Sequence, residues 1–141
     1  MPRKETVRKA KRELREGKSP STAAGEFVRE EIEHVREGKH GARSTGQAIA
    51  IGLSKARRAG VPLEPPGRGT SARTRQAAKR DYATGQGRRK PHATSGKRAR
   101  AVSSALKREP RSTASRRALS RHARQTARRR TTRGAKGRRA S

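Results

Sequence analysis

The chain contains no cysteine and no tryptophan, and its only phenylalanine and tyrosine are Phe27 and Tyr82. The absence of cysteine excludes disulfide bonds and thiolate metal sites. The scarcity of aromatic rings disfavours folds that hold single strands or RNA loops by base stacking. No run of about 18 apolar residues occurs, so no membrane-spanning helix is predicted. We therefore expect a soluble, cytoplasmic protein.

Positive charge is what the sequence has in excess. Forty Lys and Arg residues against 11 Asp and Glu residues give a formal net charge of +29. A charge of this size repels itself and favours a polyanionic partner, and nucleic acid has a matching linear charge density. An acidic membrane surface would normally require an apolar or aromatic anchor, which this chain lacks. We expect nucleic acid as the partner, DNA in preference to RNA, and no membrane.

Charge and large apolar residues are distributed differently along the chain. Residues 1–63 hold 15 basic and 8 acidic residues, whereas residues 64–141 hold 25 basic and 3 acidic ones. Eleven large apolar residues beyond Met1 lie in the first part, and the longer second part has three, plus Tyr82. Burial of so few side chains does not offset chain entropy. The prediction is a mostly α protein, with a small three-helix N-terminal module and a largely disordered, Arg-rich C-terminal tail that forms transient helices.

The predicted boundaries follow from punctuation by serine, proline and glycine. In the module, residues 1–63, Ser19-Pro20 and Ser44 with Gln47 are typical of helix starts. Each of its three helices is followed by a glycine stop: Gly17, Gly38 and Gly60. The repeated Arg-Glu-Gly-Lys at 15–18 and 36–39 favours a recurring helix end over a duplication.

Residues 64–98 are predicted to be a Pro/Gly/Arg-rich linker. Within it, we expect Gly87 to need no particular backbone conformation. Residues 99–141 form the basic tail, with candidate helices near 99–108 and 112–130.

Two groups of cations are candidates for nucleic-acid contact. One group surrounds the third predicted helix, where the cations at its end either complement the helix dipole or clamp a phosphate. The other group lies in the tail, where four arginines recur at i, i+4, i+7 and i+11 and share one helical face that would contact a phosphate backbone. The candidate nucleic-acid-binding residues are Arg43, Lys55, Arg57, Arg58, Arg116, Arg117, Arg121, Arg124, Arg128, Arg129 and Arg130.

Enzymatic and metal chemistry are not supported by the motifs. Ser95-Gly96-Lys97 lacks the glycine and hydroxyl residue of a phosphate loop. Two histidines lie near four glutamates: His34, His40, Glu30, Glu31, Glu33 and Glu37. Their spacing matches no metal motif such as HExxH, which favours a solvated acidic face. An alternative for these glutamates is internal pairing with basic residues. We expect neither catalytic residues, nor a metal, nor a cofactor.

The stretch GKSPSTAAGEFVREEIEHVREGKHGARSTGQAIAIGLSKARRAGVPLEPP, residues 17–66, resembles a family of small basic bacterial proteins of unknown function. Members often carry only the generic label DNA-binding protein. The tail SALKREPRSTASRRALSRHARQTARRR, residues 104–130, is similar to that family's C-terminal pattern. The resemblance implies a bacterial, cytoplasmic protein and supplies no binding residues.

The functional expectation is non-specific binding of nucleic acid by neutralisation of the phosphate backbone. Duplex DNA is favoured, which would make the chain a nucleoid-associated or accessory architectural protein. One alternative is an RNA- or ribosome-associated protein, because Arg-rich segments serve RNA equally well. Another is a protein-interaction module that its basic tail localises, with a homodimer or protein partner bound through the N-terminal helices.

Overall fold

The computed structural model describes residues 2–67, 69–91 and 95–140, with the backbone alone for residues 132–140. These ranges contain six α-helices, one 3-10 turn and no strand. The helices are α1 (Lys4–Arg15), α2 (Pro20–Arg36), α3 (Thr45–Arg58), α4 (Ala72–Gly85), α5 (Gly96–Arg108) and α6 (Arg116–Ala140), and the 3-10 turn is Ser112–Ala114.

Side-chain caps begin α2 and α3 where the sequence predicted them. The Ser19 hydroxyl accepts a hydrogen bond from the backbone N–H of Thr22 at 3.2 Å. At α3, Ser44 Oγ accepts from the N–H of Gln47 at 3.0 Å, and Gln47 Oε1 accepts from the N–H of Arg43 at 2.6 Å. These bonds satisfy amide donors that have no partner within a helix. The predicted starts of both helices are confirmed.

Glycines in the left-handed region end the helices. Gly17 and Gly38 have φ of 84° and 79°, and the following lysines donate their N–H groups back to Glu13 O and His34 O at 3.0 Å each. Both copies of Arg-Glu-Gly-Lys therefore close a helix in the same way. Gly87, with φ of 75°, has the same role after α4. The expectation that Gly87 needs no particular backbone conformation is wrong. Gly87 follows the end of α4, a helix that was not predicted from the sequence.

The core consists of two clusters, one centred on the N-terminal half of α2 and the other on its C-terminal half. The first joins α1, α2 and α3 around Phe27, which is 1% exposed, and is otherwise built mostly from buried alanines. The second surrounds Ile32 and Val35 and includes Ala114 and Leu119 from the C-terminal half. Helices α2 and α3 approach closely at Gly52. A Cβ atom on this residue would lie only 2.7 Å from Val28 Cα. Small residues thus replace large side chains as the means of tight packing.

The prediction of a largely disordered tail with transient helices is wrong. Helix α4, within the predicted linker, packs on α3: a Cβ on Gly85 would lie 1.7 Å from the Arg57 carbonyl oxygen, and Ala78 is 5% exposed. Ala114, within the predicted tail, is fully buried. The prediction counted only large apolar residues. The observed packing uses alanines, a glycine contact and backbone hydrogen bonds, none of which stands out in composition.

Residues 106–114, called the docked segment here, hydrogen-bond to the loop between α2 and α3. Gly41 N–H donates to Leu106 O at 2.8 Å, and Ala42 N–H donates to Pro110 O at 2.9 Å. The Arg111 guanidinium donates to the carbonyls of Val35 and Arg36 at the end of α2. In return, Arg36 Nε donates to Ala114 O at 2.7 Å. These bonds fix the position from which α6 begins.

Candidate nucleic-acid interface

An open groove of about 640 Å³, called the α3–α6 groove here, separates the first turn of α3 from α6. Its walls are mostly hydroxyl, amide and guanidinium side chains. The lining residues are Ser44, Thr45, Gly46, Ser112, Thr113, Ser115, Arg117, Ala118, Arg121, His122, Gln125, Thr126 and Arg129. Every polar side chain in this set is neutral or basic. The groove is therefore suited to an anionic ligand.

The docked segment positions the two walls of the groove. Thr45 Oγ1 donates to Thr113 O at 2.6 Å, and Thr113 Oγ1 donates to Ala42 O at 3.1 Å. Leu119, one turn into α6, packs on the second core cluster. At the base of the groove a Cβ on Gly46 would lie 3.6 Å from His122 Cε1. The arginines of α6 are thus presented from a helix that the core holds in place.

Exposed arginines dominate α6. Its described arginines, all of which are exposed, are Arg116, Arg117, Arg121, Arg124, Arg128, Arg129 and Arg130. No acidic residue follows Glu109 in the sequence. The predicted stripe of Arg117, Arg121, Arg124 and Arg128 does lie on one helix, so the i, i+4, i+7, i+11 spacing gives it a common face. Arg117, Arg121 and Arg129 also line the groove, which makes the face and the groove one continuous basic surface.

The opposite wall is the N-terminal turn of α3. The positive end of the helix dipole lies here, and it favours an anionic group. Arg43 is exposed and directly precedes Ser44, the capping residue that lines the groove. Of the cations predicted around the third helix, Arg43 is the one adjacent to the groove in sequence.

Lys55 and Arg57 are committed to the interior of the fold. Lys55 Nζ donates to the buried carboxylate of Glu31. Arg57 is 8% exposed and donates to Leu63 O at 3.1 Å and to Glu64 O at 3.2 Å. Burial lowers the pKa of Arg57, and the charge of Asp81 partly opposes this shift. Both cations already have structural partners, and neither lines the α3–α6 groove.

Arg58 differs from these two because half of its side chain is exposed. Its Nε lies 3.9 Å from Asp81 Oδ1 on α4. Asp81 also accepts a hydrogen bond from the Ser54 hydroxyl. Arg58 therefore lies at the contact of α3 with α4, and it does not line the α3–α6 groove.

Sequence reasoning missed the polar residues of the groove. Arg117, Arg121 and Arg129 line the groove together with Gln125. These residues recur at four-residue steps, so the sequence could have placed Gln125 on the same side of the helix. His122 and Thr126 lie one residue further along the same side. Thr45 and Thr113 gave no signal, because their pairing depends on the docked segment.

The acidic residues of α2, with Glu37 directly after it, either pair with basic residues near the N-terminus or are buried in the core. Lys9 Nζ lies 3.1 Å from Glu26 Oε2, and the Arg3 guanidinium lies within 4 Å of Glu30, Glu33 and Glu37. Glu30 and Glu31 are 4% and 0% exposed. The expectation of a solvated acidic face is wrong for these two, because the packing of neighbouring elements covers them. Internal pairing describes this helix better.

Comparisons of the chain with protein-family models, with curated proteins and with solved structures found no match. The resemblance to a family of small basic bacterial proteins therefore stays a prediction. Within the described ranges, no helix has the length and apolar character required to cross a membrane.

Proposed function

We propose that the protein binds nucleic acid, duplex DNA in preference to RNA, through the arginine face of α6 and the adjoining α3–α6 groove. The observation that carries the proposal is the row of exposed arginines on a helix that the docked segment holds against the N-terminus of α3. No carboxylate interrupts this row. Such a surface matches a phosphate backbone in charge and in length.

The dimensions of α6 suit contact along a duplex. Its 25 residues extend about 37 Å at 1.5 Å per residue, which is close to one turn of B-DNA. Arginine and hydroxyl side chains both donate to phosphate oxygens. Contacts of this kind position a protein on DNA and carry no base code, so the binding is independent of sequence.

The scarcity of aromatic residues supports duplex over single-stranded ligands. Base-stacking platforms for single strands and RNA loops need aromatic side chains, and the chain has one Phe and one Tyr. Phe27 is buried in the core, which leaves still less aromatic surface for stacking. An accessory or nucleoid-associated architectural role is the cellular setting that fits backbone binding of this kind.

The proposal is tested by equilibrium binding to a random-sequence duplex over a range of salt concentrations. Each phosphate contact contributes about −0.9 to the slope of log affinity against log salt. Contacts by the five arginines of the face and the groove, Arg117, Arg121, Arg124, Arg128 and Arg129, would therefore give a slope of about −4.5. Structured RNA and heparin compete at one salt concentration. A shallow slope, a strong preference for one short site, or stronger competition by RNA than by duplex DNA would contradict the proposal.

A further inference from the structure

Two histidines and one carboxylate meet between α2 and the loop that follows it. Glu31 and His34 lie one turn apart on α2, and His40 reaches back from the loop. His34 Nδ1 is 3.5 Å from Glu31 Oε1, and His40 Nε2 is 3.2 Å from Glu31 Oε2. Glu31 is fully buried, while both histidines are partly accessible. The cluster takes no part in the α3–α6 groove.

The hydrogen bonding of His40 leaves two acceptors facing each other. His40 Nδ1 lies 2.8 Å from the carbonyl oxygen of Gly41, and a carbonyl only accepts, so Nδ1 carries the proton. In the neutral ring, Nε2 then presents its lone pair to Glu31 Oε2. That buried oxygen has no hydrogen-bond partner among the described residues. Two acceptors 3.2 Å apart repel each other unless a proton or a metal ion lies between them.

His34 lies between this carboxylate and a second one. Its Nε2 is 3.7 Å from Glu30 Oε1, and its Nδ1 is 3.5 Å from Glu31 Oε1. Glu30 Oε1 is itself fixed by the backbone N–H of Arg3 at 2.7 Å. A metal-binding histidine commonly has its other nitrogen held by a carboxylate or a carbonyl, as the Gly41 carbonyl holds His40 Nδ1.

We propose that Glu31, His34 and His40 bind one divalent transition-metal ion, with zinc the best match to imidazole and carboxylate ligands. Metal–ligand bonds of about 2.0–2.1 Å in a tetrahedron separate neighbouring ligand atoms by about 3.3 Å. The observed separation of 3.2 Å between His40 Nε2 and Glu31 Oε2 is close to this value, and one ligand atom from each of the three side chains lies within 4.8 Å of the others. Lys55 donates to the other oxygen, Glu31 Oε1, so Oε2 is left for the ion. Three protein ligands leave one position for water.

The site would couple the metal to the docked segment. His40 directly precedes Gly41 and Ala42, whose N–H groups donate to Leu106 O and Pro110 O. An ion that fixes His40 against α2 fixes this loop as well. Bound metal should therefore stabilise the contact from which α6 extends.

The test is titration of the untagged, chelator-treated full chain with zinc, and with cobalt for its visible spectrum. One ion per chain and a tetrahedral cobalt spectrum are expected. His40→Asn keeps a donor for Gly41 O, because the asparagine amide nitrogen occupies the place of Nδ1, but it removes the ligand nitrogen. The variant should lose more than the roughly 10–100-fold in affinity that loss of an outer hydrogen-bond partner costs.

The matched control is His122→Asn, which changes a histidine of the α3–α6 groove and should bind zinc like the unchanged chain. Equal zinc affinity of the two variants would overturn the proposal. Failure of the unchanged chain to bind zinc saturably would also overturn it.

A second variant keeps the test decisive if His40→Asn does not fold. Lys55→Met removes the ammonium group that lies beside Glu31 and would repel the ion. Zinc should bind this variant about tenfold more tightly and raise its melting temperature more than that of the unchanged chain. If zinc shifts the melting temperature of neither protein, the site does not exist.

Discussion

Thr45 Oγ1 donates a 2.6 Å hydrogen bond to the carbonyl oxygen of Thr113, a residue 68 positions later in the chain. Thr45 is the first residue of α3, and Thr113 lies in the 3-10 turn that precedes α6. The bond joins the two walls of the α3–α6 groove. The basic face of α6 consequently depends on contacts between distant parts of the sequence.

The first prediction concerns Gly41, where the docked segment approaches the loop most closely. A Cβ on Gly41 would lie 1.8 Å from the carbonyl oxygen of Glu109. Gly41→Ala must therefore displace the segment, at a cost of at least about 1–3 kcal/mol. Thermal unfolding measures the loss. Amide exchange at Ala42, whose N–H donates to Pro110 O, should accelerate.

Gly25→Ala is the matched control. Gly25 lies within α2, and a Cβ there would meet no atom within 4 Å. Alanine in place of glycine in a helix should stabilise the protein by about 0.5–1 kcal/mol. If both variants shifted stability in the same direction, the close approach of the docked segment would be refuted.

The second prediction concerns Arg111. Its guanidinium donates to the carbonyls of Val35 and Arg36, at the negative end of the α2 dipole. Arg111→Ala should lower the free energy of unfolding by about 0.5–1.5 kcal/mol, since the side chain is exposed and the bonds are partly screened. Arg108→Ala, three residues earlier on exposed α5 surface, should change it by less than about 0.5 kcal/mol. Denaturant titration compares them, and equal losses would mean that Arg111 does not fasten the segment.

The third prediction is a pH dependence at Glu13 on α1. Burial raises the pKa of Glu13, and the hydrogen bond and negative charge of Glu26 raise it further. A raised folded pKa contributes stability that is present below the ordinary value of 4.5 and is lost as pH rises through the folded pKa. Glu13→Gln resembles the protonated form. It should melt above the unchanged chain at about pH 7.5, and the difference should shrink toward about pH 4.5.

The control for this prediction is Glu16→Gln, at an exposed glutamate just after α1. Its effect on the melting temperature should not grow with pH in the same way. A constant difference between Glu13→Gln and the unchanged chain across this pH range would show that Glu13 does not take up a proton on folding.

Local signals made the first three helices predictable. Ser44 caps α3 through an amide three residues away, and Gly38 ends α2 through residues within one turn. The two partners of each interaction lie within a few residues of each other, so a short stretch of sequence contains both. Helix α4 also has a serine cap, Ser71, and a glycine stop, Gly87. These signals were present in the sequence. Helix α4 was nevertheless not predicted, because the prediction relied on the number of large apolar residues.

The docked segment was not predictable in this way. Gly41 pairs through its backbone with Leu106, and Ala114 is buried in a cluster built by α2 and α3. Backbone hydrogen bonds and the burial of an alanine leave no pattern in the sequence that would identify the distant residue involved. The same reason explains why the role of Lys55 was not predicted. The sequence suggested a phosphate contact, but Lys55 pairs with Glu31 across the α2–α3 contact. The spacing of the α6 arginines, in contrast, is a local property and indicated their common face.

The most direct test of the account compares two variants that each lose four positive charges. One replaces Arg117, Arg121, Arg124 and Arg129 on α6 with Gln, and the other replaces the exposed Arg8, Lys11, Arg12 and Arg15 on α1 with Gln. Glutamine keeps good helix propensity, so circular dichroism should show both variants folded.

The measurement is the salt dependence of binding to one random-sequence duplex. We predict that the α6 variant loses about three to four units of the slope of log affinity against log salt, whereas the α1 variant loses less than about one unit. Equal losses in the two variants would contradict the account, because they would show that net charge alone, and not the arginine face of α6, binds the nucleic acid.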